Sequence, residues 1–149
     1  MFLQAYCSAR HFDPANNDTL LNSSHNHHPL HLDQLQLVHD TECNEPFLWV
    51  MQELSSLPEL QILDVSNNQL TSVSGLSSLQ KLEDLWLNNN QILELDTVNA
   101  ELDGCRSTLT CVYLTCNPAT RNNPLYKQRM LQWLPNLQQL DADYVRGAP

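Results

Sequence analysis

The sequence predicts an α/β fold: a short solenoid of stacked repeats with a parallel concave sheet and a helical cap at its C-terminal end. Three observations carry that expectation. A leucine pattern, L-x-x-L-x-L-x-x-N-x-L, recurs along the latter part of the 149-residue chain. An asparagine holds the same place in each clear copy. A proline-bounded segment of helical spacing then interrupts the period, and the pattern fades.

The first clear copy places Leu60, Leu63, Val65, Asn68 and Leu70 in the pattern. The second, twenty-two residues on, places Leu82, Leu85, Leu87, Asn90 and Ile92. The third follows after twenty-seven residues with Leu109, Val112, Leu114 and Asn117, and Pro118 and Ala119 come next. A fourth, with Leu137, Leu140 and Ala142, lacks the asparagine and reads as terminal. This is the leucine-rich-repeat pattern, and each residue type has a physical task. The L-x-L core alternates with period two, so its side chains point inward from a short strand. Each strand pairs in parallel with its counterpart in the next repeat. The chain then turns sharply off the strand and leaves backbone polar groups inside. An asparagine amide both donates and accepts there, so stacked copies form a ladder. Val73, Leu76 and Leu79 recur every three residues, which suits a 3₁₀ or short helical return on the convex side. The longer connector from Leu93 to Arg106 predicts a convex helix over Thr97 to Leu102, ended by Gly104.

The repeats fill residues 58–121, and residues 122–149 read as their cap. Asn123 suits the helix N-cap, Pro124 the first helical position, and Pro135 the stop. Leu125, Met130, Trp133 and Leu134 are expected to cover the last repeat, whose apolar end would otherwise face water. Residues 1–31 are rich in Asn, Ser, His and Asp and are expected to be poorly ordered. Residues 32–57 read as a degenerate repeat or as an N-terminal shielding helix. Leu32, Leu35 and Leu37 match the pattern weakly, with Asp40 in the asparagine position, and an edge strand is equally compatible. Phe47, Leu48, Met51, Leu54 and Leu57 fall near helical spacing.

Composition narrows the function. Seventeen acidic residues against seven lysines and arginines give a net charge of −10. Such a surface repels phosphate backbones, so no nucleic-acid partner is expected, while a basic protein surface fits. Mean hydropathy is −0.37. No apolar run approaches the ~18 residues of a bilayer span, so no membrane association is expected. The N-terminal residues lack a long apolar stretch, which argues against a signal peptide. The five cysteines, Cys7, Cys43, Cys105, Cys111 and Cys116, are odd in number and are expected to be reduced thiols in the cytosol or nucleus. The three glycines, Gly75, Gly104 and Gly147, form no phosphate-binding loop. His25, His27, His28, His31 and His39 match no zinc spacing and read as a solvated tract. Neither an enzyme activity nor a cofactor or metal is expected.

The surface of the sheet points to binding instead. The residue between the two inward side chains of each strand faces out: Asp64, Trp86, Tyr113 and Asp141. Stacking sets these in a column at about 4.8 Å per step. The column two residues earlier holds Ile62, Asp84, Cys111 and Gln139, and the one two residues later holds Ser66, Asn88, Thr115 and Asp143. Two aromatics therefore lie side by side on an acid-bordered face, and aromatics are common anchors of protein interfaces. The competing reading is that a flanking side chain or the long insert after Leu93 covers them.

The stretches "LEDLWLNNNQI", "LTCVYLTCNP" and "PLYKQRMLQWLPNLQQLDADYVR" resemble the C-terminal end of the leucine-rich-repeat regulatory subunit of protein phosphatase-1. The closing motif matches at Tyr126, Leu134, Pro135, Asp141, Ala142 and Val145, and the resemblance runs from Pro58 to Arg146. It implies a non-catalytic module whose concave acids and aromatics dock the phosphatase catalytic subunit, in the nucleus and cytoplasm. Carried over by position, the partner-binding residues are Asp64, Asp84, Trp86 and Tyr113. The chain departs from the family in having three clear repeats rather than a long array, and in placing Cys116 where a glycine is usual. A generic leucine-rich-repeat scaffold with a different protein partner is the alternative.

Overall fold

The computed structural model describes strand residues 9–13, 16–20 and 34–37, residue 54, and residues 57–121 and 123–145. Their strands form one eight-stranded sheet in the order β2-β1-β3-β4-β5-β6-β7-β8. These are β1 (Ala9–Asp13), β2 (Asn16–Leu20), β3 (Gln34–Leu37), β4 (Ile62–Asp64), β5 (Asp84–Trp86), β6 (Cys111–Tyr113), β7 (Gln139–Leu140) and β8 (Asp143–Tyr144). From β3 to β7 all neighbours are parallel. β1 runs antiparallel to both β2 and β3, and β8 runs antiparallel to β7.

The L-x-L residues build the core as their period dictates. Leu63, Val65, Leu85, Leu87, Val112 and Leu114 are fully buried. Leu63 stands opposite Leu85 and Leu85 opposite Val112, so the longer third repeat keeps the register. Its extra residues go to the connector, as α1 (Leu95–Glu101) and a 3₁₀ turn at Leu102–Gly104. The helix begins two residues before the expected Thr97. Gly104 also does something other than end it. A Cβ there would lie 1.7 Å from the Ser77 carbonyl oxygen, so the glycine lets two adjacent return turns approach. The partner turn is the 3₁₀ segment Leu76–Ser78, which the three-residue spacing of Val73, Leu76 and Leu79 predicts.

The asparagines form the ladder. Asn90 Nδ2 donates to the Leu87 carbonyl and, across the repeat, to the Val65 carbonyl, both at 2.9 Å. Its Oδ1 accepts from the Leu70 N–H at 3.0 Å. Asn117 repeats this with the Leu114 and Leu87 carbonyls and the Ile92 N–H. Each amide thus satisfies buried groups of two repeats, which locks the stacking as well as the turn. The residue before each ladder asparagine is left-handed: Asn67 and Asn89 at φ 57°, Cys116 at φ 61°. Asparagine tolerates that region, and a cysteine there carries strain, which is why a glycine suits the position.

After the third repeat come α2 (Pro118–Arg121) and α3 (Tyr126–Trp133). The helix expected from Asn123 starts later. Asn123 Oδ1 accepts from the Leu125 N–H and its carbonyl accepts from the Tyr126 N–H, so this residue shapes the turn into α3. The later start shifts the helical phase. Leu125 is 56% exposed, and Tyr126, Met130 and Leu134 form the buried row at i, i+4 and i+8. Trp133 is half-buried, with the Arg129 guanidinium 4.6 Å from its ring centroid. Arg106 ties this helix to the preceding repeat by donating to the Trp133 carbonyl and to Asn99.

At the other end, two strands lie within the segment expected to be poorly ordered: β1 and β2. Backbone pairing with an open strand edge requires no apolar side chains, so composition did not reveal it. β3 lies between β1 and β4, with Leu35 in register with Leu63. Leu54 is buried. Leu57 packs against the core and its N–H donates to the Leu54 carbonyl at 3.0 Å, while Phe47, Leu48 and Met51 of the expected shielding helix, the histidine tract, Cys7 and Cys43 lie outside the described residues.

Candidate functional site: the concave face

β4, β5 and β6 set Asp64, Trp86 and Tyr113 in one row by register. The Trp86 and Tyr113 rings meet edge to face, 5.9 Å between centroids and 68° between planes. That arrangement aligns the positive edge of one ring with the negative face of the other. Trp86 keeps 37% of its surface exposed, so the long connector leaves it uncovered. Tyr113 is half-buried, and its hydroxyl oxygen accepts from Gln139 Nε2 at 2.5 Å. Gln139 also donates to the Asp141 carbonyl, so one amide fixes the tyrosine and the end of the array together. Sequence reasoning placed Gln139 in the neighbouring column without giving it a role.

Asp84 precedes Trp86 by two residues and shares its face of the sheet. It is half-buried. Burial, reinforced by Glu83, raises its carboxyl above the ordinary range. The salt bridges among the described residues join Lys81 to Glu59, Arg106 to Asp103, Lys127 to Asp143 and Arg129 to Asp96, and none includes Asp84. Cys111 stands beside Asp84 on the next strand. Burial, and then the Asp84 charge, push its thiol up to about 11.

The remaining two members of the expected column differ. Asp64 is almost buried, and its Oδ1 accepts from the Ser66 N–H at 2.9 Å and the Ser66 hydroxyl at 2.6 Å. An aspartate followed two residues later by a serine closes a local turn of this kind. Asp141 leaves the column altogether. β7 ends at Leu140, and Asp141 is left-handed at φ 55° and 5% exposed. Its Oδ1 accepts from the Leu114 and Thr115 N–H groups at 2.8 and 3.0 Å, and its Oδ2 from the Tyr126 hydroxyl at 3.0 Å. Burial and this carboxylate hold the Tyr126 phenol far above its ordinary range. The open site is therefore Asp84, Trp86 and Tyr113.

Among the described residues, no group of three or more His, Cys, Asp or Glu side chains is placed to hold a metal ion. No helix among them is long and apolar enough to cross a membrane.

Residues 58–104 match the family model described as Leucine Rich repeats (2 copies). A comparison with curated proteins finds no match. Among solved structures, the chain is similar to one from the Drosophila melanogaster SNF/U2A' complex, at 26% identity and a TM-score of 0.51. That likeness covers 60% of this chain and 51% of the other, so the present chain spans about half the length of its Drosophila relative. It is also similar to a chain of the Chaetomium Mex67:Mtr2 subunits, at 25% identity and a TM-score of 0.56, covering 68% of this chain and 71% of that one. The protein thus carries leucine-rich repeats stacked through a parallel sheet. The finer resemblance, to the phosphatase regulatory subunit, rests on the sequence motifs alone.

Proposed function

We propose that this chain is a non-catalytic protein-docking module, a short solenoid closed by α3 as its cap, whose concave face takes the catalytic subunit of protein phosphatase-1. The observation that carries the reading is the edge-to-face Trp86–Tyr113 pair, its indole exposed, beside Asp84, a half-buried carboxylate outside every described salt bridge. A partner that covers the rings removes apolar surface from water, and a cation on that partner offsets the desolvation of Asp84. The net charge of −10 favours a basic partner surface. The closing motif and the two aromatics direct the choice to the phosphatase, in the nucleus and cytoplasm. Loss of one buried anchor costs about 2–4 kcal/mol, or roughly 30- to 1,000-fold in affinity.

The second reading keeps the face and changes the partner. It is favoured by Asp64, one of the four residues carried over from the resemblance, whose carboxylate is occupied by Ser66. The similar Drosophila structure is of a complex, and this fits a docking role without naming the partner for this chain. The experiment that separates the readings is capture of the purified phosphatase-1 catalytic subunit by the wild type and by the Trp86→Ala, Tyr113→Ala double variant, with circular dichroism on both. Capture by the wild type and loss in the folded variant supports the first reading. No capture by the folded wild type removes the phosphatase and leaves the scaffold with another partner.

A further inference from the structure

We infer that Tyr144 is a third aromatic of the docking face, so that the partner's basic surface lies across β5 to β8 rather than on the two central strands alone. The inference rests on the docking role proposed above and extends its footprint. The register supplies the geometry. Tyr144 stands opposite Gln139 in the antiparallel β7–β8 pair, and opposed residues share one face. Gln139 is on the concave face, because it is in register with Cys111 and donates to the Tyr113 hydroxyl. Tyr144 therefore rises on the same face, two strands beyond Tyr113. Its neighbours alternate as that requires. Asp143 pairs with Lys127 of α3, and Val145 packs against the core.

Tyr144 is 66% exposed, the most exposed of the large hydrophobic side chains among the described residues. It is near enough to Tyr113 to add to the upward shift of that phenol, of which burial is the larger cause. By register Tyr144 extends the row of Asp84, Cys111 and Gln139, beside the row of Trp86 and Tyr113, so aromatic rings run along this face from β5 to its terminal edge next to the acid at Asp84. Exposed aromatic faces attract guanidinium and ammonium groups, and Asp84 attracts the same groups. The occupant that fits both is a protein surface bearing arginine or lysine side chains. Sequence reasoning missed Tyr144 because it counted only parallel strands, and Tyr144 returns on an antiparallel one.

The test is affinity for the phosphatase-1 catalytic subunit, measured with the full chain as wild type, Tyr144→Ala, Tyr144→Phe and Trp86→Ala, at low and raised salt. The expected result is a roughly tenfold loss for Tyr144→Ala, little change for Tyr144→Phe, which keeps the ring, and weaker binding at raised salt. Unchanged melting temperatures show that the losses are not unfolding. If Trp86→Ala loses affinity and Tyr144→Ala does not, the docking face stands and the extension to Tyr144 is overturned. If the wild type does not bind, the choice of partner and the extension fall together. Binding that is indifferent to salt overturns the basic occupant.

Discussion

The central repeats and the terminal segment place different residues at one repeat position and treat them in opposite ways. Trp86 and Tyr113 face outward from β5 and β6 with their rings in contact. Asp141, at the equivalent place after β7, turns inward and accepts from two backbone N–H groups and the Tyr126 hydroxyl. The neighbouring strand makes the difference. Within the array the Val65 and Leu87 N–H groups go to the Trp86 and Tyr113 carbonyls of the following repeat. Where the parallel ladder ends, the Leu114 N–H would be left inside, and a carboxylate supplies the acceptor. One position thus faces outward in the middle of the array and satisfies buried backbone groups at its end.

That contrast predicts which substitutions damage the fold and which damage docking. The largest stability effect is expected of Asp141→Ala. It leaves buried N–H groups and a buried hydroxyl without their acceptor, at a cost of roughly 3 kcal/mol or more. Thermal unfolding should show a fall of about 10 °C in Tm. A fall of only a degree or two would mean that Asp141 is not what closes the array.

Asp84→Asn should act in the opposite sense on stability. The Asp84 carboxyl titrates above its ordinary range in the folded chain, so the folded state holds that proton more tightly than the unfolded one. The ionised group therefore opposes folding at neutral pH, and its penalty fades as pH falls through the carboxylate range. The variant should be more stable than wild type at pH 7 and should lose that advantage in acid, while docking a basic partner less well. Denaturant titrations at the two pH values check the first part. Equal stability at neutral pH would mean that Asp84 is relieved in a way the geometry does not reveal.

The smallest effect concerns the turn. Cys116→Gly removes a side chain from a left-handed residue and should stabilise the protein by about 0.5–1 kcal/mol, read from the shift in denaturation midpoint. Asn89→Gly should gain less, because asparagine tolerates this region and Asn89 Nδ2 donates to Asn67 Oδ1. An equal gain at both sites would remove the distinction between the ordinary repeat turn and the altered one.

Much of this architecture is legible in the residues. Asn90 and Asn117 announce the ladder because a buried amide must find donors and acceptors at fixed places. Trp86 and Tyr113 could be placed on one face because the period of a strand is two. What escaped depends on local hydrogen bonds or on chain reversal. The capture of Asp64 was written in the serine two residues on, yet only the geometry shows it outcompeting exposure. The inward turn of Asp141 follows from the end of a ladder. The exchange of Leu125 for Tyr126 follows from a helix start set by Asn123. Gly104 was legible as a stop, while its contact with Ser77 depends on how two distant turns approach.

The most direct test of the docking face is calorimetric titration of the phosphatase-1 catalytic subunit into wild type and Trp86→Ala, with the melting temperature of each recorded. The indole is partly exposed and takes no part in the asparagine ladder, so melting should change little. Affinity should fall by roughly 30-fold or more. Equal affinity in two folded proteins would contradict the central claim that the Trp86–Tyr113 face is where the partner sits.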